Sequence, residues 1–289
     1  MLLEEMVGYT LFAQNELGKA FILVGEGSNG KSTFLSMIRK MLGSSNYSSL
    51  DLSRLNDRFS IVRLFGKLAN LGDDISDDYI PDTSDFKKIV TGESIEAEEK
   101  GKPKFNFLPH AKLVFSANSI PRMGKSKSSE ALLRRLVIIP FNAKFNKKVL
   151  GDNFDPYYID KLTTEESIEY LIKVGVEGLK RVLKNKEFTN PIEVQKELDN
   201  FKIANNPILE FLNELTEDDV INEPTSIVYK RYNVFCIENH MQPVSNIEFS
   251  RQIKKHFNVD IKQIRVQGSK GTRYKIFVKK ENPIITPII

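Results

Sequence analysis

The sequence predicts an α/β core capped by helices, followed by a smaller domain of three helices and a β-hairpin. Three observations lead there. An apolar, partly β-branched run, Ala20 to Val24, passes through a glycine-rich turn directly into a helical run, Thr33 to Leu42. Ala111–Ala117 and Leu136–Phe141 are further apolar runs of strand length. Beyond Asn205-Asn206-Pro207, three helical patterns precede two short strand patterns.

The glycine-rich turn is Gly25-Glu26-Gly27-Ser28-Asn29-Gly30-Lys31-Ser32, followed by Thr33. Its spacing, G-x-x-x-x-G-K-S between a strand and a helix, is that of a phosphate-binding loop. The glycines let the backbone turn tightly and approach a phosphate. The loop N–H groups and the new helix N-terminus then face the anion. Lys31 is expected to reach the β- and γ-phosphates, and the Ser32 hydroxyl to ligate Mg²⁺. The expected ligand of Gly25–Thr33 is ATP or another nucleoside triphosphate. A chance glycine-rich turn is the alternative, and the flanking strand and helix argue against it.

A chain of 289 residues suits two domains or one large one, and 40% hydrophobic with 28% charged residues suits a soluble protein with a real core. The net charge of +4 is unevenly spread: Thr225 to Ile289 carries +8, the remainder −4. A basic C-terminal third predicts contact with a polyanion. The lone Cys236 excludes internal disulfides, fits a reducing compartment and sits in an apolar run, as a small core residue would. Glu4, Glu5 and Glu16 leave no signal-peptide pattern, and no apolar run nears the roughly 20 residues that span a bilayer. His110, His240 and His256 are too scattered for a metal-ligand cluster.

In chain order, Met1 to Leu17 has helical spacing closed by Gly18. So short a lead into the nucleotide strand suggests a piece of a longer protein. Leu50–Leu64 is expected to be helical. Lys67–Asp74 reads as a strand ending in the paired acids Asp73 and Asp74, although Asn70 and Gly72 interrupt its apolar run. Beside a phosphate loop, one acid would orient Mg²⁺ and the other would polarise the attacking water. The residues do not divide those roles, and a solvated acidic turn is the competing reading. Pro81–Val90 is a short helix capped by Thr83 or Ser84. Ser94–Phe107 is two strands around Lys100-Gly101-Lys102-Pro103, either a solubilising edge or a finger that grips a phosphate backbone. Asn118 follows the strand Ala111–Ala117 at its carboxyl end, where open α/β sheets bind ligands. It is expected near Asp73 and Asp74, holding the water or sensing the γ-phosphate. Gly124–Ser129 has the composition of a mobile loop. Arg134-Arg135 lead into the last apolar strand; such arginines are surface ion pairs or, in a ring ATPase, fingers reaching a neighbour's site.

The order of GEGSNGKST (Gly25–Thr33), LGDDIS (Leu71–Ser76), FKKIVTGESIEAEEKGKPKFNFLPHAKLVFSANSIPR (Phe86–Arg122) and LLRRLVIIPF (Leu132–Phe141) resembles the superfamily 3 helicases, a viral and plasmid branch of the AAA+ ATPases. It is most similar to the helicase half of phage and plasmid primase–helicases and to the poxvirus nucleoside-triphosphatase primase. The resemblance covers about the first 215 residues. It implies a P-loop AAA+ core (1–145) with a helical lid (146–205). It implies that Lys31 and Ser32 bind phosphate and Mg²⁺, that Asp73 and Asp74 are the acidic pair, with Asp73 beside Ser32 at the metal, and that Asn118 is the sensor. It further implies that Lys100 and Lys102 track DNA in a central channel, and that Arg135, with Arg134 second, is the trans-acting finger. The implied activity is ATP-driven DNA unwinding in phage or mobile-element replication, in a bacterial cytoplasm. The implied partners are single-stranded DNA, further copies in a hexameric ring and a primase domain or protein. An ATP-switched initiator that binds an origin without processive unwinding is the alternative.

After the core, Thr163 with Glu166 forms an expected capping box. The helix beyond it is expected to bury Ile168, Leu171, Ile172, Gly175, Leu179, Val182 and Leu183, and Pro191–Ala204 to form another. Asn206 caps a helix with Pro207 at its first position. With helices at Pro207–Leu215, Ser226–Asn239 and Ser245–Phe257, and strands at Ile261–Val266 and Thr272–Val278, residues 206–280 read as a winged helix. Arg251, Lys254 and Lys255 lie on its third helix, and Arg265, Lys270, Arg273 and Lys275 on its hairpin, a pattern that fits duplex binding or a solvated basic face. The tail 281–289 is expected to be disordered or docked on a neighbour.

Overall fold

The computed structural model describes residues 1–124, 129–239, 241, 243–265 and 273–280. The chain divides into two compact units, Met1–Lys202 and Ile203–Ile289.

The first unit runs α1 (Leu2–Thr10), β1 (Ala20–Val24), α2 (Lys31–Leu42), β2 (Tyr47–Ser48), α3 (Arg58–Ile61), β3 (Ala69–Gly72) and α4 (Ser84–Thr91). A hairpin of β4 (Ile95–Ala97) and β5 (Phe105–Phe107) precedes β6 (Lys112–Ala117), α5 (Ser129–Leu133) and β7 (Leu136–Pro140). Then come α6 (Lys147–Leu150), α7 (Tyr158–Leu162), α8 (Glu165–Asn185) and α9 (Ile192–Ala204). Five strands form a parallel sheet in the order β2-β3-β6-β1-β7. Both faces are covered, so its strands are apolar on both sides. Ile22, Leu113, Phe115 and Ile138 enter one core; Phe21, Leu23, Val114 and Ile139 enter the other. The second core is closed by α1 and α8, which cross tightly where Gly8 meets Gly175. Buried Glu5 pins that crossing to the connection between α8 and α9, accepting from Thr189 N at 2.8 Å and Thr189 Oγ1 at 2.7 Å.

Several boundaries differ from the sequence reading for local reasons. Leu50–Leu64 is not one helix. Asp51 accepts from Ser53 N at 2.7 Å and Asp57 from Phe59 N at 3.1 Å, so each aspartate starts a new turn and resets the helix. Helix α1 stops at Thr10, well before Gly18, because the Leu11 and Phe12 amides close back on Gly8 and Tyr9, each at 3.1 Å. Thr164, not Thr163, caps α8, accepting from Ser167 N at 3.3 Å. Ile172 is exposed, and Gly178, against Glu4 of α1, is buried in that helix. The hairpin strands are three residues each, which leaves a longer tip.

The second unit holds α10 (Pro207–Asn213), α11 (Thr225–Glu238), α12 (Asn246–His256) and an antiparallel pair, β8 (Val259–Arg265) and β9 (Arg273–Lys279). Asn206 caps α10 by accepting from Ile208 N at 3.1 Å, and Ser245 caps α12 by accepting from Glu248 N at 3.4 Å. Phe211, Tyr232 and Phe249 centre its core, with Tyr232 and Phe249 stacked at 4.7 Å and Cys236 buried beside them. Residues 125–128 of the expected loop Gly124–Ser129, the turn Gln267–Gly271 with Lys270, His240 and the tail 281–289 lie outside the described residues. Among the described residues no helix is long and apolar enough to cross a membrane, and no cluster of metal ligands of the His/Cys/Asp/Glu type occurs.

Candidate functional site

The glycine-rich loop leaves β1 and turns into α2 through Gly30, whose φ of +88° favours glycine. Beside it lies a cavity of about 380 Å³ lined by loop residues together with Asp73, Asp74, Ser116 and Asn118. Three parallel strands deliver these groups to one edge: the loop follows β1, the acids follow β3, and Ser116 and Asn118 come from the end of β6.

Within the cavity the side chains form one network. Lys31 Nζ donates to the Gly25 carbonyl, to Asn29 Oδ1 at 3.2 Å and to Asn118 Oδ1 at 3.4 Å. Burial holds its pKa below the ordinary lysine range, opposed by Asp74 and Asp73. Asn118 Nδ2 in turn donates to Asp74 Oδ1 at 3.4 Å. Asp73 Oδ1 accepts from Ser32 Oγ at 3.2 Å and Ser116 Oγ at 2.5 Å, and Arg39 lies 3.7 Å from Oδ2. Asp74 has a left-handed backbone, φ +51°, held by its N–H donating to Ser116 Oγ at 3.0 Å. The carboxylates therefore face different neighbours, Asp73 the Ser32 hydroxyl and Asp74 the Asn118 amide. A hydroxyl facing a carboxylate offers the oxygen donors that Mg²⁺ prefers.

The two residues that interrupt the β3 pattern have structural reasons. Asn70 is fully buried, and its side chain does the work of a missing strand residue. Its Oδ1 accepts from Leu50 N at 2.7 Å and Ser48 Oγ at 2.8 Å, and its Nδ2 donates to Leu50 O at 3.0 Å. A Cβ at Gly72 would lie 2.6 Å from Phe115 Cδ1 and 2.9 Å from Leu50 O, so glycine alone fits immediately before the acids.

The other expected residues lie elsewhere. Arg134, exposed, and Arg135, half-buried, are at the opposite, N-terminal edge of the sheet, lining a separate cavity of about 700 Å³ with Lys19 and His110. Arg135 Nη1 donates to Ala131 O at 2.6 Å, and burial with the neighbouring Arg134 lowers its pKa. Lys100 and Lys102 occupy the exposed tip of the β4–β5 hairpin, where Lys102 pairs with Glu99. At the hairpin base Phe65, 58% exposed, packs edge-on against Phe105 and Phe107. In the second unit Arg251 pairs with Glu248 and Lys254 with Asp260, each at 2.7 Å, while Lys255, Arg265, Arg273 and Lys275 are exposed. Sequence reasoning missed Ser116 and Arg39. A serine among apolar residues two positions before Asn118 was the available signal for the first; Arg39, two helical turns beyond Lys31, had none.

Residues 23–135 match a family described as of unknown function (DUF5906), and residues 203–283 match a family described as poxvirus D5 protein-like. No curated protein matches the chain. Among solved structures, the apo C-terminal region of NrS-1 (305–718) is 14% identical, with 96% of this chain and 70% of that one covered and a TM-score of 0.51. Another apo structure of the NrS-1 C-terminal region is 16% identical over 96% and 71% of the two chains, with a TM-score of 0.49. The JCV helicase is 15% identical over 70% and 66%, with a TM-score of 0.35. The chain thus has the fold of the NrS-1 C-terminal region and, over residues 203–283, is similar to poxvirus D5-like proteins.

Proposed function

We propose that the chain is an ATP-dependent DNA helicase motor acting in replication of a phage or mobile element. The observation that supports the ATPase part of this reading is the network in which Asn118 accepts from Lys31 and donates to Asp74, while Asp73 faces Ser32; the DNA part rests on the family resemblance. Lys31 exchanges its contacts with Asn29 and Asn118 for the β- and γ-phosphates, and Ser32 and Asp73 hold the metal. Bound Mg²⁺ supplies charge neutralisation at the phosphate oxygens. Asp74 polarises the water that attacks the γ-phosphorus, and Asn118 positions that water while contacting the phosphate.

Lys31, Ser32, Asp73, Asp74 and Asn118 form one half of the site. By the family resemblance Arg135, with Arg134 second, serves a neighbouring copy in a ring, a hexamer; both arginines lie at the end of the sheet away from this half of the site. The Lys100–Lys102 hairpin moves with hydrolysis and pulls one DNA strand. The second unit acts as a winged helix whose basic residues contact duplex DNA.

The test is steady-state ATP hydrolysis with and without single-stranded DNA, with Lys31→Ala as the blank. Strong stimulation by DNA supports a translocating motor. Turnover indifferent to DNA sinks it in favour of a regulatory ATPase, and origin binding without unwinding favours an ATP-switched initiator.

A further inference from the structure

Within the nucleotide reading above, on which this step rests, we infer that Phe145 is the platform against which the base of the bound nucleotide stacks. The sheet order gives the direction. Asp73, Asp74 and Asn118 come from β3 and β6, on one side of β1, so the terminal phosphate lies on that side. The nucleoside end leaves the loop on the other side, toward β7, and the chain leaving β7 runs along that side.

That segment is built onto the phosphate loop. Phe141 N donates to Val24 O at 2.7 Å, and Asn29 Nδ2 donates to Phe141 O at 3.0 Å. Lys144 pairs with Glu26 at 3.4 Å, and Phe145 N donates to Ser28 O at 2.6 Å. The Phe145 ring then lies against the outer face of Gly30, with two ring carbons 3.4 and 3.6 Å from where a Cβ would sit. It is nevertheless 53% exposed. An aromatic ring held on the loop by its own backbone and half open to solvent offers a flat apolar face beside the phosphate site. A flat apolar ligand face covers it, and a nucleobase arriving with its phosphates in the loop provides one. Stacking of this kind accepts any base, because every base has a π-face.

The chain has no tryptophan, so Phe145→Trp places a single indole reporter at this position. Titration of that variant with ATP and with inorganic tripolyphosphate, each with Mg²⁺, separates the base from the phosphates. ATP is expected to quench the indole and tripolyphosphate to leave it unchanged. Calorimetry on Phe145→Ala should show ATP binding weakened about tenfold and tripolyphosphate binding unaltered, as loss of one base–aromatic stack implies. Equal quenching by both ligands, or wild-type ATP affinity in Phe145→Ala, overturns the assignment. A wild-type chain that binds tripolyphosphate as tightly as ATP also overturns it, while leaving the phosphate loop intact. A wild-type chain that binds neither defeats the nucleotide reading itself, and this proposal with it.

Discussion

Strand β6 carries a polar residue at each end, and the two ends are managed in opposite ways. Asn118, just past the C-terminal end, lies in an open cavity and bonds to side chains, Lys31 and Asp74, that a ligand can displace. Lys112, at the N-terminal end, is 2% exposed. It donates to the Phe12 carbonyl at 2.6 Å and the His110 carbonyl at 2.5 Å and lies 4.9 Å from the Tyr9 ring centre. Its partners are backbone and cannot be exchanged. Burial alone pushes its pKa down to about 7, whereas Lys31 keeps two carboxylates nearby. The partners of Asn118 are side chains beside an open cavity, which a ligand can replace; those of Lys112 are buried backbone carbonyls, which hold chain segments together. Here Lys112 fastens the α1–β1 connection to the sheet.

The largest expected effect tests the binding end. Lys31→Ala should lower ATP turnover by about 10²-fold or more while leaving the melting temperature nearly unchanged. A collapse in stability would mean that Lys31, like Lys112, serves structure.

Lys112→Met should do the reverse. It leaves two carbonyls without this donor, for about 2 kcal/mol of lost stability at high pH, where the native lysine is neutral in the folded and the unfolded chain alike. The pH dependence sharpens the contrast. Folded Lys112 titrates at about 7 and the unfolded side chain at 10.5, so between those values the unfolded chain binds more protons. Stability from this group is therefore fully present above 10.5 and is lost as pH falls toward 7. Urea denaturation of the wild type minus that of Lys112→Met should rise across this window. A flat difference would show that Lys112 stays charged in the fold.

Gly72→Ala joins the two roles, since its Cβ meets the Phe115 ring and the Leu50 carbonyl. About 1–3 kcal/mol of destabilisation should accompany a turnover loss larger than stability explains, because Asp73 and Asp74 move with it. Nucleotide binding and turnover measured on the folded variant check this. The smallest effect belongs to Lys104→Ala, which breaks an exposed pair with Glu96 at 2.7 Å. Thermal unfolding should change by less than about 1 kcal/mol.

Much of the site was legible because it is local. Gly25 to Ser32 is a contiguous backbone device, and its glycines, lysine and serine announce the loop without knowledge of any neighbour. The caps at Asn206 and Ser245 were legible for the same reason: an Asx or Ser side chain bonds an amide two or three residues on. The failures share a cause too. Asp51 and Asp57 sit inside a pattern that apolar spacing alone marks as helix, yet each bonds its own downstream amide. Asn70 looked like a flaw in a strand until Leu50 was placed beside it. Neither spacing nor composition shows that Leu50 lies there.

What the sequence determined by itself was the glycine-rich loop between strand and helix, the existence of the later strands and helices, and the basic character of the final third. All of these follow from residues within one turn or one strand of each other, or from summed charge. The tertiary structure alone decided that Asp73 faces Ser32 and Asp74 faces Asn118, that Ser116 holds both acids, that only glycine fits at position 72, and that Arg134 and Arg135 lie at the far edge. Each depends on the strand order β2-β3-β6-β1-β7. That order is set by pairings between segments tens of residues apart, whose register is chosen by the burial of both sheet faces at once.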